Sequence, residues 1–145
     1  MTWLGSTLYI ADDTTDTIYK TSAPAGSNDI LGMTSDGTSL YALVNNTPYD
    51  SIMKLDTSGD KVTAWATSGV ADTTLTGAVS IAVLGTNLWV VEFKQDMGPS
   101  QWIAKAYALS DGAASGGNWS TNNVPFGNAQ PKGLSSDGTY LYLSL

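Results

Sequence analysis

Histidine, cysteine and arginine are all absent from this chain of 145 residues. Without histidine or cysteine there is no Ser-His triad, no thiol nucleophile and no ordinary zinc site. Without arginine there is no bidentate fork for carboxylate or phosphate groups. These absences exclude the commonest forms of enzyme chemistry, and we predict that the chain is not an enzyme.

Charge is also scarce, since only 13% of the residues are charged and the formal net charge is −7. A negative chain without a basic stripe is repelled by phosphate backbones, so we predict no binding to nucleic acid. The surface must instead be rich in Ser, Thr, Asn and Gly, a composition common on extracellular and virion proteins. The cations are all lysines, namely Lys20, Lys54, Lys61, Lys94, Lys105 and Lys132.

Long hydrophobic runs are missing as well, so we expect no membrane span. The opening residues, Met1 to Gly5, contain neither a basic nor an apolar signal-peptide region. The hydrophobic fraction of 42% suits one globular domain with a sizeable core. The cellular location stays open, because a chain without cysteine gives no redox clue.

A repeated segment is the main positive feature of the sequence. Its pattern is Gly-[Ser/Thr]-x-Leu-aromatic-apolar, and its leucine recurs at positions 8, 40, 88 and 141. A second signature, Ile-x-Lys, follows the first three copies and ends at Lys20, Lys54 and Lys105. Two linked signatures that recur in the same order indicate a repeated structural unit.

Each unit contains short strand patterns separated by turn residues, with no helical periodicity. In the clearest unit we predict strands at 30–35, 39–44, 51–56 and 62–66. The next unit repeats them at 79–84, 88–93, 102–109 and near 119–124. Four short antiparallel strands per unit predict an all-β β-propeller. A β-sandwich is the alternative, but its strands need not resemble one another.

One passage resembles a known family. Leu8 to Asp12, followed by Thr17 to Lys20, resembles the passage from the second to the third blade strand in NHL and YVTN-type propellers. These families include both binding modules and enzymes. The resemblance therefore implies a fold and not an activity.

We predict a single partial propeller over residues 1–145, with blades at about 1–29, 30–76 and 77–129 and a terminal hairpin at about 130–145. Roughly three four-stranded blades are too few, because closed propellers have about four to eight. A homodimer of about six blades is the predicted assembly, in which residues 131–137 supply the inner strand of the partner's first blade. The alternative is that the chain is a piece of a longer gene product.

Loops that follow the second and fourth strands of each blade share one face of a propeller, and the other turns share the opposite face. The first face is predicted to receive Asp12, Asp13, Asp16, Asp29, Asp50, Asp72 and Asp96, with Asn45, Asn46 and Tyr49. This face is expected to be electronegative. The opposite face receives Asp36, Asp60, Asp111 and Asp137, which suit structural turn positions.

Two tryptophans flank loops, where indole rings commonly stack on sugars. The predicted ligand-binding residues are Trp102, Trp119, Asn118, Asn45, Asn46 and Tyr49. Packing against a neighbouring blade is the alternative role for each tryptophan. Trp89 is expected to pack between blades, and Trp65 is expected to lie half-buried on a fourth strand.

A cation site is a further hypothesis. Asp12, Asp13 and Asp16 offer oxygen ligands of the kind that Ca²⁺ prefers, although the full EF-hand pattern is missing. A solvated polar loop is the alternative interpretation, and no other cofactor is expected. The three Ile-x-Lys lysines are interpreted as equivalent, solvent-facing edge residues. Glu92, the only glutamate, has no evident partner in the sequence.

The leading functional prediction is a non-catalytic recognition or scaffolding module that binds carbohydrate or another polar ligand. The first alternative is a purely structural component of a virion or cell surface. The second is a metal-dependent enzyme similar to propeller lactonases or lyases, restricted to a carboxylate site because histidine is absent.

Overall fold

Every regular element that the structure describes is a β-strand. The computed structural model describes residues 2–4, 7–12, 17–19, 24–26, 30–45, 48–94, 101–120 and 130–145. The strands pair only in antiparallel fashion within these ranges. The predicted all-β class is confirmed. In the same ranges no helix is long and apolar enough to cross a membrane.

The strands form four sheets in chain order. The first sheet contains β1 (Thr2–Leu4), β2 (Thr7–Asp12), β3 (Thr17–Tyr19) and β4 (Pro24–Gly26). The second contains β5 (Ile30–Ser35), β6 (Leu40–Val44), β7 (Asp50–Leu55) and β8 (Val70–Leu75). The third contains β9 (Ser80–Leu84), β10 (Asn87–Lys94), β11 (Gln101–Ala108) and β12 (Ala114–Ser120). The terminal hairpin contains β13 (Gly133–Ser136) and β14 (Leu141–Ser144).

The repeated leucine occupies the same pairing position in every sheet. It lies opposite the residue five places earlier, so that Leu8 faces Trp3 and Leu40 faces Ser35. The same register joins Leu88 to Val83 and Leu141 to Ser136. Because side chains alternate across a strand, a shared register assigns each repeated leucine to the same face of its sheet. We call this the leucine face, and the opposite one the tyrosine face.

The main core lies between the second and third sheets. The tyrosine face of β6 brings Tyr41 and Leu43 into a cluster with Leu88 and Val90 from the leucine face of β10. The leucine face of β6 joins a second, smaller cluster. All five residues of β6 are therefore buried, which explains its unbroken apolar sequence. First strands also meet between sheets, because β5 contacts both β1 and β9, and β9 contacts β13.

The predicted fourth strand at 62–66 is wrong, since the strand of the second sheet is β8 at Val70–Leu75. Residues 61–69 instead form turns, in which Trp65 N donates to Val62 O and Gly69 N donates to Trp65 O. Gly69 has a φ of +82°, and a Cβ there would lie 2.9 Å from Val62 O. Trp65 is buried rather than half-buried, and its Nε1 donates to Leu109 O on the third sheet. Long-range packing of the indole outweighs the strand pattern.

The other strand predictions are close to the structure, and the bounds of the first three strands of the second and third sheets differ by at most one residue. The fourth strand of the third sheet begins earlier than predicted, at Ala114, directly after a turn at Gly112 with a φ of +72°. The rest of the predicted segment, 121–124, lies outside the described residues. In the first sheet β1 already pairs with β2, so it occupies the place that we assigned to a partner's terminal strand.

Candidate functional site

Two loops meet at one end of the second and third sheets and line an open pocket of about 390 Å³. One loop joins β6 to β7, and the other joins β8 to β9. We call this the loop pocket, and its lining residues are Leu31, Asn45, Pro48, Asp50, Thr76, Gly77 and Ala78. The loop after the second strand and the loop after the fourth strand of this unit therefore lie side by side.

Asp50 stabilises one side of the loop pocket through a hydrogen bond. It is the first residue of β7 and is only 7% exposed. Its Oδ2 accepts a hydrogen bond of 2.8 Å from Ala78 N on the opposite loop. A buried carboxylate is stabilised by such charge-assisted bonds to backbone N–H groups. Asp50 therefore ties the loop of one sheet to the loop that leads into the next.

Glu92 holds the same loop from the third sheet. It is fully buried on β10, and its Oε2 accepts a 2.9 Å hydrogen bond from Thr76 N. The Thr76 hydroxyl in turn donates to Phe93 O at 3.0 Å. Two buried carboxylates, Asp50 and Glu92, thus bind the backbone at both ends of the Thr76–Ala78 wall. Hydrogen bonds from within the fold thus position this wall.

Lys105 balances the charge behind the wall. Its Nζ lies 2.7 Å from Glu92 Oε1 and 3.6 Å from Asp72 Oδ2 on β8. Tyr107 donates its hydroxyl proton to the same Asp72 oxygen at 2.5 Å. The group of Glu92, Lys105, Asp72 and Tyr107 therefore joins the second sheet to the third. We call it the charged bridge.

The charged bridge shifts the pKa values of two of its members. Burial would raise the pKa of Asp72, but hydrogen bonds from Tyr107 and Thr74 and the Lys105 charge outweigh it and lower that pKa below its ordinary value. Burial and the hydrogen bond to Asp72 raise the pKa of the Tyr107 hydroxyl. Asp72 is thus held ionised and Tyr107 neutral.

The Ile-x-Lys lysines are not equivalent, which corrects the sequence interpretation. Lys54 lies opposite Tyr41, whereas Lys105 lies opposite Val90, one position out of phase. Lys54 consequently sits over the rings of Tyr41 and Trp65, at 5.3 and 5.9 Å from their centroids. Lys105 instead faces the second sheet and pairs with carboxylates. Neither is a purely solvent-facing edge residue.

Of the predicted ligand residues, Asn45 lines the loop pocket and is exposed. Tyr49 lies between the lining residues Pro48 and Asp50 and is 47% exposed. Trp102 is half-buried against Phe93, with ring centroids 4.8 Å apart. Trp102 is not among the residues that line the loop pocket. Phe93 N donates to Thr76 O, so the aromatic pair of Phe93 and Trp102 lies next to the Thr76–Ala78 wall.

The remaining predicted residues fall outside what the structure describes. Asn46, Asp13 and Asp16 lie outside the described residues, as do the side chains of Asp12, Asn118 and Trp119. The calcium hypothesis therefore stays a prediction. Within the described part of the chain no three acidic side chains are placed to share a metal ion.

The predicted structural role of the turn aspartates is confirmed at three of four positions. Asp36 Oδ1 accepts from Thr38 N and Ser39 N, and Asp137 Oδ1 accepts from the equivalent pair of amides. Asp111 accepts from Ala113 N. At the remaining turn the acceptor is Asp56, which receives Ser58 N and Asp60 N, so the assignment to Asp60 is wrong.

The residues that sequence reasoning missed are those of the Thr76–Ala78 wall and the charged bridge. One signal was available, because Glu92 interrupts the apolar run Leu88 to Phe93 of a buried strand. A carboxylate in such a run needs a partner, and the partner is the lysine of the neighbouring strand. Thr76 and Ala78 carry no comparable signal, since they take part through their backbone N–H groups.

Comparison with protein families matched no family model, and comparison with curated proteins found no matching sequence. The geometry of the loop pocket is therefore the basis for assigning a function.

Proposed function

We propose that this chain is a non-catalytic recognition module that binds a polar, hydroxyl-rich ligand, such as a carbohydrate, in the loop pocket. The observation that carries this proposal is the composition of the pocket. The Asn45 amide and the Asp50 carboxylate stand among apolar walls formed by Leu31 and Pro48. Sugars present both hydroxyl groups and apolar C–H faces, so such a mixture suits them.

Rigidity of the wall supports a binding role. Thr76 and Ala78 are held by Glu92 and Asp50, so hydrogen bonds within the chain position the pocket wall. A ligand that enters a preorganised pocket does not have to order the loop, and this lowers the cost of binding. The pocket volume of about 390 Å³ falls within the usual range for small ligands of roughly 300–1,000 Å³.

A binding role also fits the residue types. The chain contains no histidine, cysteine or arginine. The Asp50 carboxylate, which lines the pocket, is bonded to Ala78 N, and Glu92 and Lys105 are engaged with each other behind the wall. General acid–base catalysis needs a titratable group within hydrogen-bond reach of the substrate. We assign Glu92 and Lys105 to positioning of the wall instead.

We further propose that the sheets are blades of a β-propeller. Three four-stranded meanders followed by a hairpin support this arrangement, as does contact between successive first strands. In a propeller the first strands line the central axis and the sheets pack face to face around it. The tyrosine face of the second sheet against the leucine face of the third fits this geometry.

A glycan array followed by titration calorimetry tests the binding proposal. We expect a neutral saccharide to bind the unaltered chain. Asn45→Ala should weaken that binding roughly fivefold, since one hydrogen bond contributes about 1 kcal/mol. The matched control is Asn87→Ala. Asn87 lies beside the β9–β10 turn, at the end of the third sheet that is remote from the loop pocket.

Two outcomes would contradict the binding proposal. The first is silence across neutral saccharides on the array and in calorimetry. The second is an equal loss of binding in Asn45→Ala and Asn87→Ala, which would place the ligand elsewhere. Circular dichroism of both variants separates loss of binding from loss of folding.

A purely structural role in an assembly is the second candidate. The observation that favours it is the cluster of exposed large side chains on the terminal hairpin, Tyr140, Tyr142 and Leu145. This role predicts self-association without any ligand. Light scattering coupled to size exclusion measures that self-association directly.

A further inference from the structure

The terminal hairpin exposes a face that is buried elsewhere in the molecule. Tyr142 follows the repeated Leu141, as Tyr41 follows Leu40, and the two tyrosines share one register. Tyr41 is fully buried, whereas Tyr142 is 52% exposed and its neighbour Tyr140 is 64% exposed. The tyrosine face of the hairpin thus lacks the cover that the second sheet possesses.

The cover on Tyr41 identifies what kind of surface is missing. Tyr41 and Leu43 pack with Leu88 and Val90, which lie on the leucine face of the next sheet. In this interface a tyrosine face is therefore buried by the leucine face that follows it. The hairpin keeps the same orientation, because its own leucine face points back toward the third sheet. There Leu141 and Leu143 line an apolar cavity of about 300 Å³ together with Trp89, Ala104 and Leu134.

The chain carries a matching surface at its other end. Leu8 in β2 holds the register position that Leu88 holds in β10, since Leu8 lies opposite Trp3 and Leu88 lies opposite Val83. Ile10, two residues later, corresponds to Val90. By register and sequence, Leu8 and Ile10 of the first sheet therefore correspond to Leu88 and Val90 of the third sheet, the pair that covers Tyr41 and Leu43.

We propose that the tyrosine face of the terminal hairpin docks on the leucine face of the first sheet of a second copy, and that two such head-to-tail contacts close a dimer. Contacts between first strands run in series from β1 to β5 to β9 to β13. The β1 strand of a second copy continues that series. This inference rests on the propeller arrangement proposed above, and two copies then supply eight sheets rather than about six, within the range of about four to eight blades.

Engineered cysteines test the contact without background, because the chain contains no cysteine. The double variant Leu8→Cys with Tyr142→Cys should form a covalent dimer under mild oxidation, seen on a non-reducing gel. Neither single variant should do so, because a head-to-tail contact joins unlike surfaces. The unaltered chain should show twice the chain mass of 15.2 kDa in light scattering.

Three results would overturn the proposal. A monomeric mass for the unaltered chain would remove the contact altogether. Cross-linking of Tyr142→Cys alone would indicate a symmetric contact between two β14 edges. A ladder of larger cross-linked products would show that the contact does not close with two copies.

A second pair of variants keeps the test valid should Leu8→Cys fail to fold. Tyr142→Asp should convert the dimer to a monomer, and Tyr49→Asp, at a similarly exposed tyrosine beside the loop pocket, should leave the dimer intact. Equal effects of both variants would contradict the assigned surface. Saccharide binding measured on Tyr142→Asp distinguishes failure of this inference from failure of the binding proposal, because Tyr142 is not among the residues that line the loop pocket.

Discussion

At the scale of single residues, Lys54 and Lys105 show how one sequence signature serves two environments. Lys54 lies over aromatic rings, where its charge gains a cation–π attraction. Lys105 compensates the charge of Glu92, which is fully buried. Removal of one partner from a buried pair leaves an uncompensated charge and costs more than the pair contributes.

We therefore predict unequal effects of two matched substitutions. Lys105→Met should lower the free energy of unfolding by about 3 kcal/mol, because Glu92 is left buried without its cation. Lys54→Met should lower it by about 1 kcal/mol, the usual size of a cation–π contact. Urea unfolding followed by circular dichroism measures both.

The double variant Glu92→Leu with Lys105→Met is the control for this interpretation. It removes both charges and should recover most of the stability lost in Lys105→Met. A double variant that is less stable than Lys105→Met would show that Glu92 is needed mainly for its bond to Thr76.

The lowered pKa of Asp72 predicts a pH dependence of stability. Its pKa in the folded chain lies below the ordinary value of 3.8, so the ionised carboxylate stabilises the folded state above that value. This contribution is lost as the pH falls through the folded-state pKa. The thermal midpoint of the unaltered chain should therefore drop on acidification, and that of Asp72→Asn should drop less.

Asn is the suitable replacement because position 72 has a φ of +42°, which Asn tolerates better than most residues. Asp60→Asn, at an exposed turn position, is the matched control and should follow the unaltered chain. Parallel acid profiles for Asp72→Asn and the unaltered chain would show that Asp72 does not contribute.

At the scale of elements, the Asp-Gly-Thr-x-Leu-Tyr hairpin occurs twice with the same internal bonds. Tyr41 donates to Asp36 Oδ2 at 2.8 Å, and Tyr142 donates to Asp137 Oδ2 at 2.6 Å. The two copies differ in burial, because Tyr41 is covered by the third sheet. The loss of a hydrogen-bond acceptor costs more where water cannot replace it.

Asp36→Ala should consequently lower the free energy of unfolding by about 2 kcal/mol, and Asp137→Ala should lower it by less. Urea unfolding of both variants under identical conditions measures the difference. The difference applies to the monomeric chain, in which Tyr142 is 52% exposed. Equal losses at a protein concentration where light scattering shows a monomer would contradict the prediction.

At the scale of the whole molecule, the series of sheet contacts leaves one face of the hairpin open. In the proposed dimer a second copy buries that face, so that folding is coupled to association. The thermal midpoint should then rise with protein concentration, by mass action. Thermal unfolding at several protein concentrations measures this shift. A midpoint that does not change with concentration would contradict a dimer that contributes to stability.

Much of the fold was predictable from the sequence because its determinants are local. The repeated leucine and the turn residues around Gly37 and Gly138 specify hairpins whose register depends only on neighbouring residues. The first, second and third strands of the second and third sheets were therefore located to within one residue. The fourth strand of the second sheet was misplaced, because the 61–69 turns depend on Trp65 packing against the distant Leu109.

The candidate site was predictable only in part, for the same reason. Asn45 was predicted to lie in the loop after the second strand, and it lines the loop pocket, since a polar loop after a buried strand is a local pattern. The Thr76–Ala78 wall was not, because it acts through backbone N–H groups bound by Asp50 and Glu92 from two different sheets.

The sequence by itself determined the all-β class, the repeated hairpin register and the turn aspartates, all of which depend on neighbouring residues and side-chain alternation. Only the tertiary structure decided which lysine pairs with the buried Glu92, where the fourth strands run and which backbone groups line the loop pocket. These features depend on contacts between residues far apart in the chain. A shift of one position in strand pairing, as between Lys54 and Lys105, turns a side chain to the opposite face of a sheet.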